Sequence, residues 1–237
     1  MQEPVDVADS TIRARLSADG ISDVNLPEKI TWGSYCIFAA AIIDFLDGFV
    51  ARLFKASSEM GKQLDSLADL VSFGVAPGLI LYQLLRIGFA RETDGLDVSF
   101  GALLPAFILP CASAWRLAKF NMDNSQQYSF RGIPTPAAGI TIAALPLIIY
   151  YQQFNLQEVL FNQWLIYGII LLLSYLMVSN ISMMSLKFKD SSLKNNAPKF
   201  ILAAIAVVAG VVLKWVAIPV VLLAYVIVSL TFKNKIA

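Results

Sequence analysis

Four aspartates form two pairs in the first third of the chain. Asp44 and Asp47 are three residues apart, and Asp65 and Asp69 are four residues apart. At these spacings both members of a pair project from the same face of a helix. Because the connection between the two segments is short, the helices become antiparallel neighbours. The sequence therefore predicts four carboxylates that converge near one end of a helical hairpin.

Such a cluster has a definite chemistry. Four carboxylates held together at membrane depth are very unfavourable without cations. Carboxylate oxygens are hard ligands, and Mg²⁺ or Mn²⁺ is their natural partner. Four of them suit two divalent ions about 3.5–4 Å apart, the arrangement that clamps a phosphoryl group during displacement. Zinc is not expected, because the chain has no histidine and its two cysteines, Cys36 and Cys111, lie in apolar stretches.

Small and basic residues accompany the acids. Gly48, Ala51 and Gly61 leave room for a diphosphate and a nucleotide to approach the helix backbone. Arg52 lies one turn past Gly48 and can neutralise a phosphate oxygen. The competing interpretation is a polar cluster that only holds helices together. Ionisable groups within a membrane are functional by default, which favours a ligand site.

Composition indicates that much of the chain is surrounded by lipid. Of the 237 residues, 57% are hydrophobic and 15% are charged, and the mean hydropathy is +0.67. A soluble domain usually has about a quarter of its residues charged. The net charge of +1 provides no basic field for a nucleic acid. We therefore expect the lipid bilayer, and no nucleic acid, among the partners of this protein.

Apolar segments divide the chain into membrane helices. A membrane helix needs about 20 mostly apolar residues, and open strands cannot satisfy their backbone groups in lipid. The sequence predicts an all-α, polytopic transmembrane helical bundle of about seven spans. Residues 1–29 are predicted to form a polar tail, and 30–237 one transmembrane domain. The predicted spans are approximately 31–54, 65–86, 98–120, 136–152, 164–186, 198–213 and 216–232, with a tight turn at Lys214-Trp215 between the last two.

Lysine and arginine indicate the orientation. When 55–64 is placed in the cytoplasm, most of the 18 basic residues fall on the same side, as the positive-inside rule requires. The site then faces the cytoplasm from the cell (inner) membrane. Arg116 and Arg131 lie at or just beyond the same cytoplasmic helix end. A guanidinium there can receive a substrate carboxylate or a lipid phosphate, although simple membrane anchoring is the alternative.

The acid-rich segment resembles the CDP-alcohol phosphatidyltransferase family, whose signature is Asp-Gly-x2-Ala-Arg-x8-Gly-x3-Asp-x3-Asp. The resemblance implies a mainly six-helix catalytic core, a homodimer and two divalent metals. It also implies that Asp69 is the general base and that the other acids are metal ligands, with Asp69 touching one metal as well. CDP-lipid binding falls to the small residues and the arginine of the signature. The matching positions are Asp47, Gly48, Ala51, Arg52, Gly61, Asp65 and Asp69, preceded by Asp44.

Three further segments, 65–77, 116–121 and 130–138, resemble a bacterial membrane-embedded branch of the family that uses serine as acceptor. This resemblance implies transfer of a phosphatidyl group from CDP-diacylglycerol to L-serine. Arg116, Asn121 and Arg131 become the candidate acceptor-binding residues. Relatives that form glycerophosphate lipids or cardiolipin tend to carry proline where this chain has Ser66.

Other interpretations stay open at this point. Glycerol 3-phosphate or inositol phosphate can replace serine in the same chemistry. A divalent-cation transporter would use the acids as a filter, but transporter sites usually lie at the midplane among broken helices. An inactive scaffold is a third interpretation. Family members usually have an additional membrane helix before the motif helix, and residues 1–29 contain no apolar run of that length.

Overall fold

The computed structural model describes residues 11–16, 22–27, 30–54, 58–91, 98–122, 130–184 and 196–231. Helices dominate these residues, which confirms the all-α class. Within the polar tail, strand β1 (Thr11–Leu16) pairs with strand β2 (Ser22–Pro27) as an antiparallel hairpin. The polar composition of the tail did not predict this pairing.

The helices follow the predicted spans closely. They are α1 (Ile30–Leu53), α2 (Glu59–Leu70), a π-helical turn (Val71–Val75), α3 (Ala76–Ala90), α4 (Phe100–Leu103), a 3-10 turn (Leu104–Phe107), α5 (Ile108–Met122), α6 (Thr135–Tyr150), α7 (Gln157–Leu160), α8 (Gln163–Val178), α9 (Ala197–Leu213) and α10 (Ala217–Thr231). Strands β3 (Phe130–Arg131) and β4 (Ser182–Met183) form a second short antiparallel pair.

Four helical runs of the described residues are long and apolar enough to cross a membrane: Ile30–Ala51, Glu59–Ala90, Phe100–Met122 and Pro198–Thr231. Two shorter apolar helices, α6 and α8, accompany them. The last run is broken at Lys214, whose φ is 50° and ψ is −120°, and this break folds α9 back onto α10. The chain is therefore a multi-pass membrane protein, and the turn predicted at Lys214-Trp215 is present.

One predicted boundary differs from the structure more than the others. The span predicted over 164–186 ends as a helix at Val178, and β4 follows. The backbone of Ser179 is extended, and its hydroxyl donates to the carbonyl of Leu176 at 2.9 Å. The amide of Ile133 donates to the same carbonyl at 3.1 Å. One local and one tertiary hydrogen bond thus satisfy the Leu176 carbonyl where the helix ends, before the apolar sequence ends.

Helix α6 lies at the centre of the bundle. Twelve of its 16 residues are buried, and it packs against α1, α3 and α10. Helix α5 packs on α8. The fully buried side chains include Leu81, Leu85, Ile142 and Ile170. This core fixes α1, α5 and α6, which border the acidic residues described below.

The two ends of the bundle have different chemistry. At one end Lys119 Nζ donates to Asn180 Oδ1 at 2.6 Å, close to the β3–β4 pair. At the other end the hydroxyls of Tyr35 and Tyr151 are 2.9 Å apart, and the Tyr151 ring stacks on Trp215. Tyrosine and tryptophan favour the membrane–water boundary. The aromatic end therefore lies at the boundary opposite the polar end.

This arrangement predicts which residues share a side of the membrane. In a Cys36→Ala/Cys111→Ala background, Met60→Cys and Asn180→Cys should react with an impermeant maleimide from one side of sealed vesicles. Glu158→Cys should react only from the other side, because α3 and α8 each cross the bundle between these positions. Labelling of Met60→Cys and Glu158→Cys from the same side would contradict this packing.

Candidate active site

Three carboxylates meet between α1 and α2. Asp44 and Asp47 come from α1, Asp65 comes from α2, and one oxygen from each lies within 4.8 Å of the others. Two of them are exposed and Asp44 is half-buried. The three-residue spacing on α1 puts both of its acids on the face that meets α2, as the sequence predicted. Oxygen ligands at this separation can hold a divalent cation.

Asp69 takes a separate position. It lies one turn after Asp65 on α2 and lines the same cavity, but it is not a member of the close trio. Asp69 is half-buried, and its carboxylate lies within electrostatic range of Asp44 and Asp65 as well as of the Arg116 guanidinium. The structure therefore brings three acids into a close cluster and places the fourth on the wall of the same cavity, where the other acids and the Arg116 guanidinium both act on it.

A cavity of about 570 Å³ lies between α1 and α2. All four acids line it, and so do the three small residues of the motif, Gly48, Ala51 and Gly61. An ideal Cβ built on Gly48 meets nothing within 4 Å, so this part of the wall is open. The backbone of Arg52 belongs to α1, but its side chain lies outside the described part of the structure.

The start of α2 adds two residues to the cavity wall that sequence reasoning did not single out. Ser58 caps the helix, since its hydroxyl accepts a hydrogen bond from the Gly61 amide at 3.0 Å. Lys62 also lines the cavity, and its ammonium pairs with the exposed Glu59 carboxylate at 2.9 Å. An exposed pair of this kind adds little stability. Lys62 is therefore a cation beside the acids that a phosphate can recruit.

A π-helical turn joins the acid-bearing helix to the core. No residue of α2 is buried, whereas eight residues of α3 are. The π turn between them contains Phe73, which is 1% exposed and lines the floor of the cavity. Such turns are rare in proteins overall, and those that occur are often found at functional sites. The turn changes the helical register so that α3 packs in the core while the acids of α2 face the cavity.

The π turn has close neighbours on both sides. A Cβ added to Gly139 of α6 would lie 2.9 Å from the Phe73 backbone, and one added to Gly74 would lie 2.9 Å from Cβ of Ser113. Real Cβ atoms essentially never approach a neighbour this closely. The two glycines thus let the turn fit between α5 and α6.

The residues predicted to bind an acceptor have different surroundings. Arg116 is only 9% exposed, and its Nη1 donates to Thr135 Oγ1 at 3.2 Å. Its Nε is buried and has no hydrogen-bond partner among the described residues. Asn121 is bonded to Ser66 of α2 and does not line the cavity. Arg131 has its backbone in β3, and its side chain lies outside the described part.

The loop before α6 has a fixed shape. Gly132 has a φ of +70°, and a Cβ there would lie 2.6 Å from the Met177 carbonyl oxygen. Its amide donates to the Ile181 carbonyl at 2.9 Å. Pro134 precedes α6 and Pro136 lies in its first turn. Since only glycine accommodates this φ and contact together, the loop is docked on the end of α8.

The family of the chain is clear from comparison with known proteins. The model of the CDP-alcohol phosphatidyltransferase family matches residues 21–230. This match includes the acid pairs, the small motif residues and almost all of the helical bundle. The chain therefore belongs to the CDP-alcohol phosphatidyltransferase family, as the signature predicted.

Several curated relatives have the name CDP-diacylglycerol–serine O-phosphatidyltransferase. The protein from Helicobacter pylori strain J99 is 38% identical over 179 residues, which cover 72% of this chain and 66% of that protein. The Bacillus subtilis protein is 38% identical over 109 residues (46% and 56%), and the Saccharomyces cerevisiae protein is 44% identical over 119 residues (46% and 39%). The matches thus span just under two thirds of the Helicobacter protein and less of the other two.

The contact between Gly139 and Phe73 predicts a position-specific effect of a single methyl group. Gly139→Ala should destabilise the protein by about 1–3 kcal/mol, because the added methyl overpacks the π turn against α6. Thermal unfolding in detergent, followed by size-exclusion chromatography, measures the effect. Gly168→Ala on α8 is the matched control, since a Cβ there meets nothing within 4 Å. Equal unfolding temperatures for the two variants would contradict the packing of the π turn.

Proposed function

We propose that the protein transfers the phosphatidyl group of CDP-diacylglycerol to the hydroxyl of L-serine, giving phosphatidylserine and CMP in phospholipid biosynthesis. The observation that carries the proposal is the cavity between α1 and α2, which is lined by the four acids and three small residues of the family signature. Serine as acceptor is supported by the names of the relatives and by the three further segments that resemble the serine-using branch.

The acids fit a divalent cofactor. Asp44, Asp47 and Asp65 offer hard oxygen donors within 4.8 Å of one another, which suits Mg²⁺ or Mn²⁺. They would hold two divalent ions, with Asp69 in contact with one of them. Bound there, the cations would neutralise negative charge on the diphosphate of the donor. Without a cation, the three clustered carboxylates repel one another.

Asp69 is proposed as the general base. In the reaction the serine oxygen forms a bond to the phosphorus that bears diacylglycerol. The bond from this phosphorus to the oxygen shared with CMP breaks, and CMP leaves with that oxygen. The hydroxyl proton passes to the Asp69 carboxylate. Serine's hydroxyl is a weak nucleophile at neutral pH, so a base within hydrogen-bond reach lowers the barrier.

The donor lipid has a natural place beside the acids. Gly48, Ala51 and Gly61 allow the nucleotide and diphosphate to approach the two helices, and Arg52 would position the diphosphate. Phe45 and Phe49 of α1 are exposed, as are Leu67 of α2 and Leu64, which also lines the cavity. The acyl chains would remain in the bilayer along these apolar faces while the headgroup enters the cavity.

Arg116 and Arg131 are proposed to receive the serine carboxylate, as a bidentate guanidinium pair would orient the hydroxyl toward phosphorus. The buried Nε of Arg116, which lacks a partner among the described residues, supports a ligand on this side chain.

The proposal includes the side of the membrane that the site faces and the oligomeric state. The cavity lined by the acids is proposed to face the cytoplasm from the cell (inner) membrane, in agreement with the excess of basic residues on that side. A homodimer is proposed from the family resemblance. A cation transporter is disfavoured because the acids lie in the halves of α1 and of the continuous run Glu59–Ala90 that are nearest the connection between them, rather than between broken helices at the midplane.

The role of Asp69 predicts a split between turnover and binding. Asp69→Asn should reduce kcat for CMP release at least a hundredfold, since a positioned base contributes roughly 10²–10⁴-fold. The KM for CDP-diacylglycerol should change less than kcat, because the amide keeps the shape of the side chain and the other three acids still hold the metals. Asp47→Asn, which removes a metal ligand that has no proposed role as base, should instead raise the metal and donor requirements together. Near-normal turnover by Asp69→Asn would refute the base assignment.

The acceptor assignment predicts a change in the serine requirement. Arg116→Ala should raise the KM for serine roughly ten- to hundredfold, as expected for the loss of a charge-assisted hydrogen bond, and leave the donor KM nearly unchanged. CMP release is measured with serine, glycerol 3-phosphate and inositol phosphate, singly and in competition. Lys119→Ala, one turn further along α5, is the matched cationic control. Preference for a phosphorylated acceptor would refute serine as the substrate and leave family membership intact.

A further inference from the structure

Helix α2 carries half of the acids but has little apolar support. None of its residues is buried. It packs against α5 and the π turn, with a smaller contact to α6. Helix α1, which carries Asp44 and Asp47, is held instead by α6 and α3. The close trio therefore combines carboxylates from helices with different supports, and its geometry depends on how α2 is fixed.

A polar contact fixes α2 to α5 next to the acids. Asn121 Nδ2 donates to Ser66 Oγ at 2.9 Å, and the Ser66 hydroxyl in turn lies 3.1 Å from the carbonyl oxygen of Lys62. Ser66 directly follows Asp65 in the chain. Between described residues, this is the only hydrogen bond that joins a side chain of α2 to another helix.

The direction of the bond explains why it matters for Asp65. Successive residues of a helix are about 100° apart around its axis, so Ser66 faces α5 while Asp65 faces the cavity. A rotation of α2 that breaks the Ser66 contact would also move the Asp65 carboxylate away from Asp44 and Asp47. Because no residue of α2 is buried, its own side chains give little packing against this rotation, and the hydrogen bond adds a restraint to the one that the continuous π turn and α3 provide.

We propose that Ser66 and Asn121 are positioning residues, which set the rotation of α2 so that Asp65 completes the trio with Asp44 and Asp47. This inference rests on the proposed function in one respect, since it takes the trio as the divalent-metal site. It gives Asn121 a role different from acceptor binding. The amide acts through α2 and touches neither substrate.

Mn²⁺ binding to the purified full-length protein tests the proposal without any turnover. Ser66→Ala and Asn121→Leu should each raise the Kd for Mn²⁺ about three- to tenfold, the effect expected for one hydrogen bond. The Kd of the double variant for Mn²⁺ should be no higher than that of the single variant with the higher Kd, because the two changes remove the same bond. Ser66→Thr, which keeps the hydroxyl, should bind as the unmodified protein does. Electron paramagnetic resonance of free Mn²⁺ gives the isotherms.

Asn180→Ala is the matched control. It also removes an asparagine bonded to an α5 side chain at this end, but its partner is Lys119 rather than α2. Its Mn²⁺ affinity should equal that of the unmodified protein. In the CMP-release assay, Ser66→Ala should raise the half-saturating Mn²⁺ concentration and keep kcat at saturating Mn²⁺ within about twofold. A general loss of structure would lower kcat as well.

The outcomes separate the two proposals. If the unmodified protein bound no Mn²⁺, the metal site of the proposed function would fail. If it bound Mn²⁺ and both single variants bound equally well, only the positioning role would fail. If the fold-change in Kd of the double variant equalled the product of the two single fold-changes, the two residues would act independently. This result would also refute the positioning role. Should Ser66→Ala not fold, the Ser66→Asn/Asn121→Ser exchange replaces it, and recovery of affinity relative to Asn121→Ser supports the bond.

Discussion

Mutual repulsion of carboxylates in a largely apolar bundle is the constraint on which the site depends. Asp44, Asp47 and Asp65 are held with oxygens within 4.8 Å of one another, an arrangement that is costly without a cation. An apolar core alone does not bring like charges together. The carboxylates lie where two helices border an open cavity, so that a ligand of opposite charge can enter and offset their repulsion. The cluster thus indicates function more strongly than stability.

The π turn lets one helical run be accessible near the acids and buried in the core. The acids need a helix that stays accessible along its length, whereas the bundle needs a helix that is buried. One continuous helical run serves both needs, because the π turn at Val71–Val75 separates the accessible α2 from the buried α3. Gly74 and Gly139 provide the space that this turn requires between its neighbours. Small residues near the site therefore act partly by permitting a backbone shape.

Charge is distributed differently in the two parts of the cavity wall. The trio contains only acids, whereas Asp69 lies within electrostatic range of the buried Arg116 as well as of Asp44 and Asp65. Under the proposed function Asp69 contacts one metal and also accepts the proton, so a cation and the Arg116 guanidinium would both offset its negative charge. Arg116 donates to Thr135 of the central helix α6, and this bond holds the guanidinium in the buried core.

The sequence by itself determined the positions of the membrane helices and the identity of the motif. Apolar length sets the first, and helical spacing sets which acids share a face, so both are local properties of the chain. Other features depended on contacts between distant segments. Helix α8 ends at Val178 because carbonyls near its end accept hydrogen bonds from the loop after Arg131, and Asn121 meets Ser66 rather than the cavity. The fit of the π turn likewise depends on packing against α5 and α6. Periodicity along one helix contains no information about its neighbours, and only the tertiary structure decided these features.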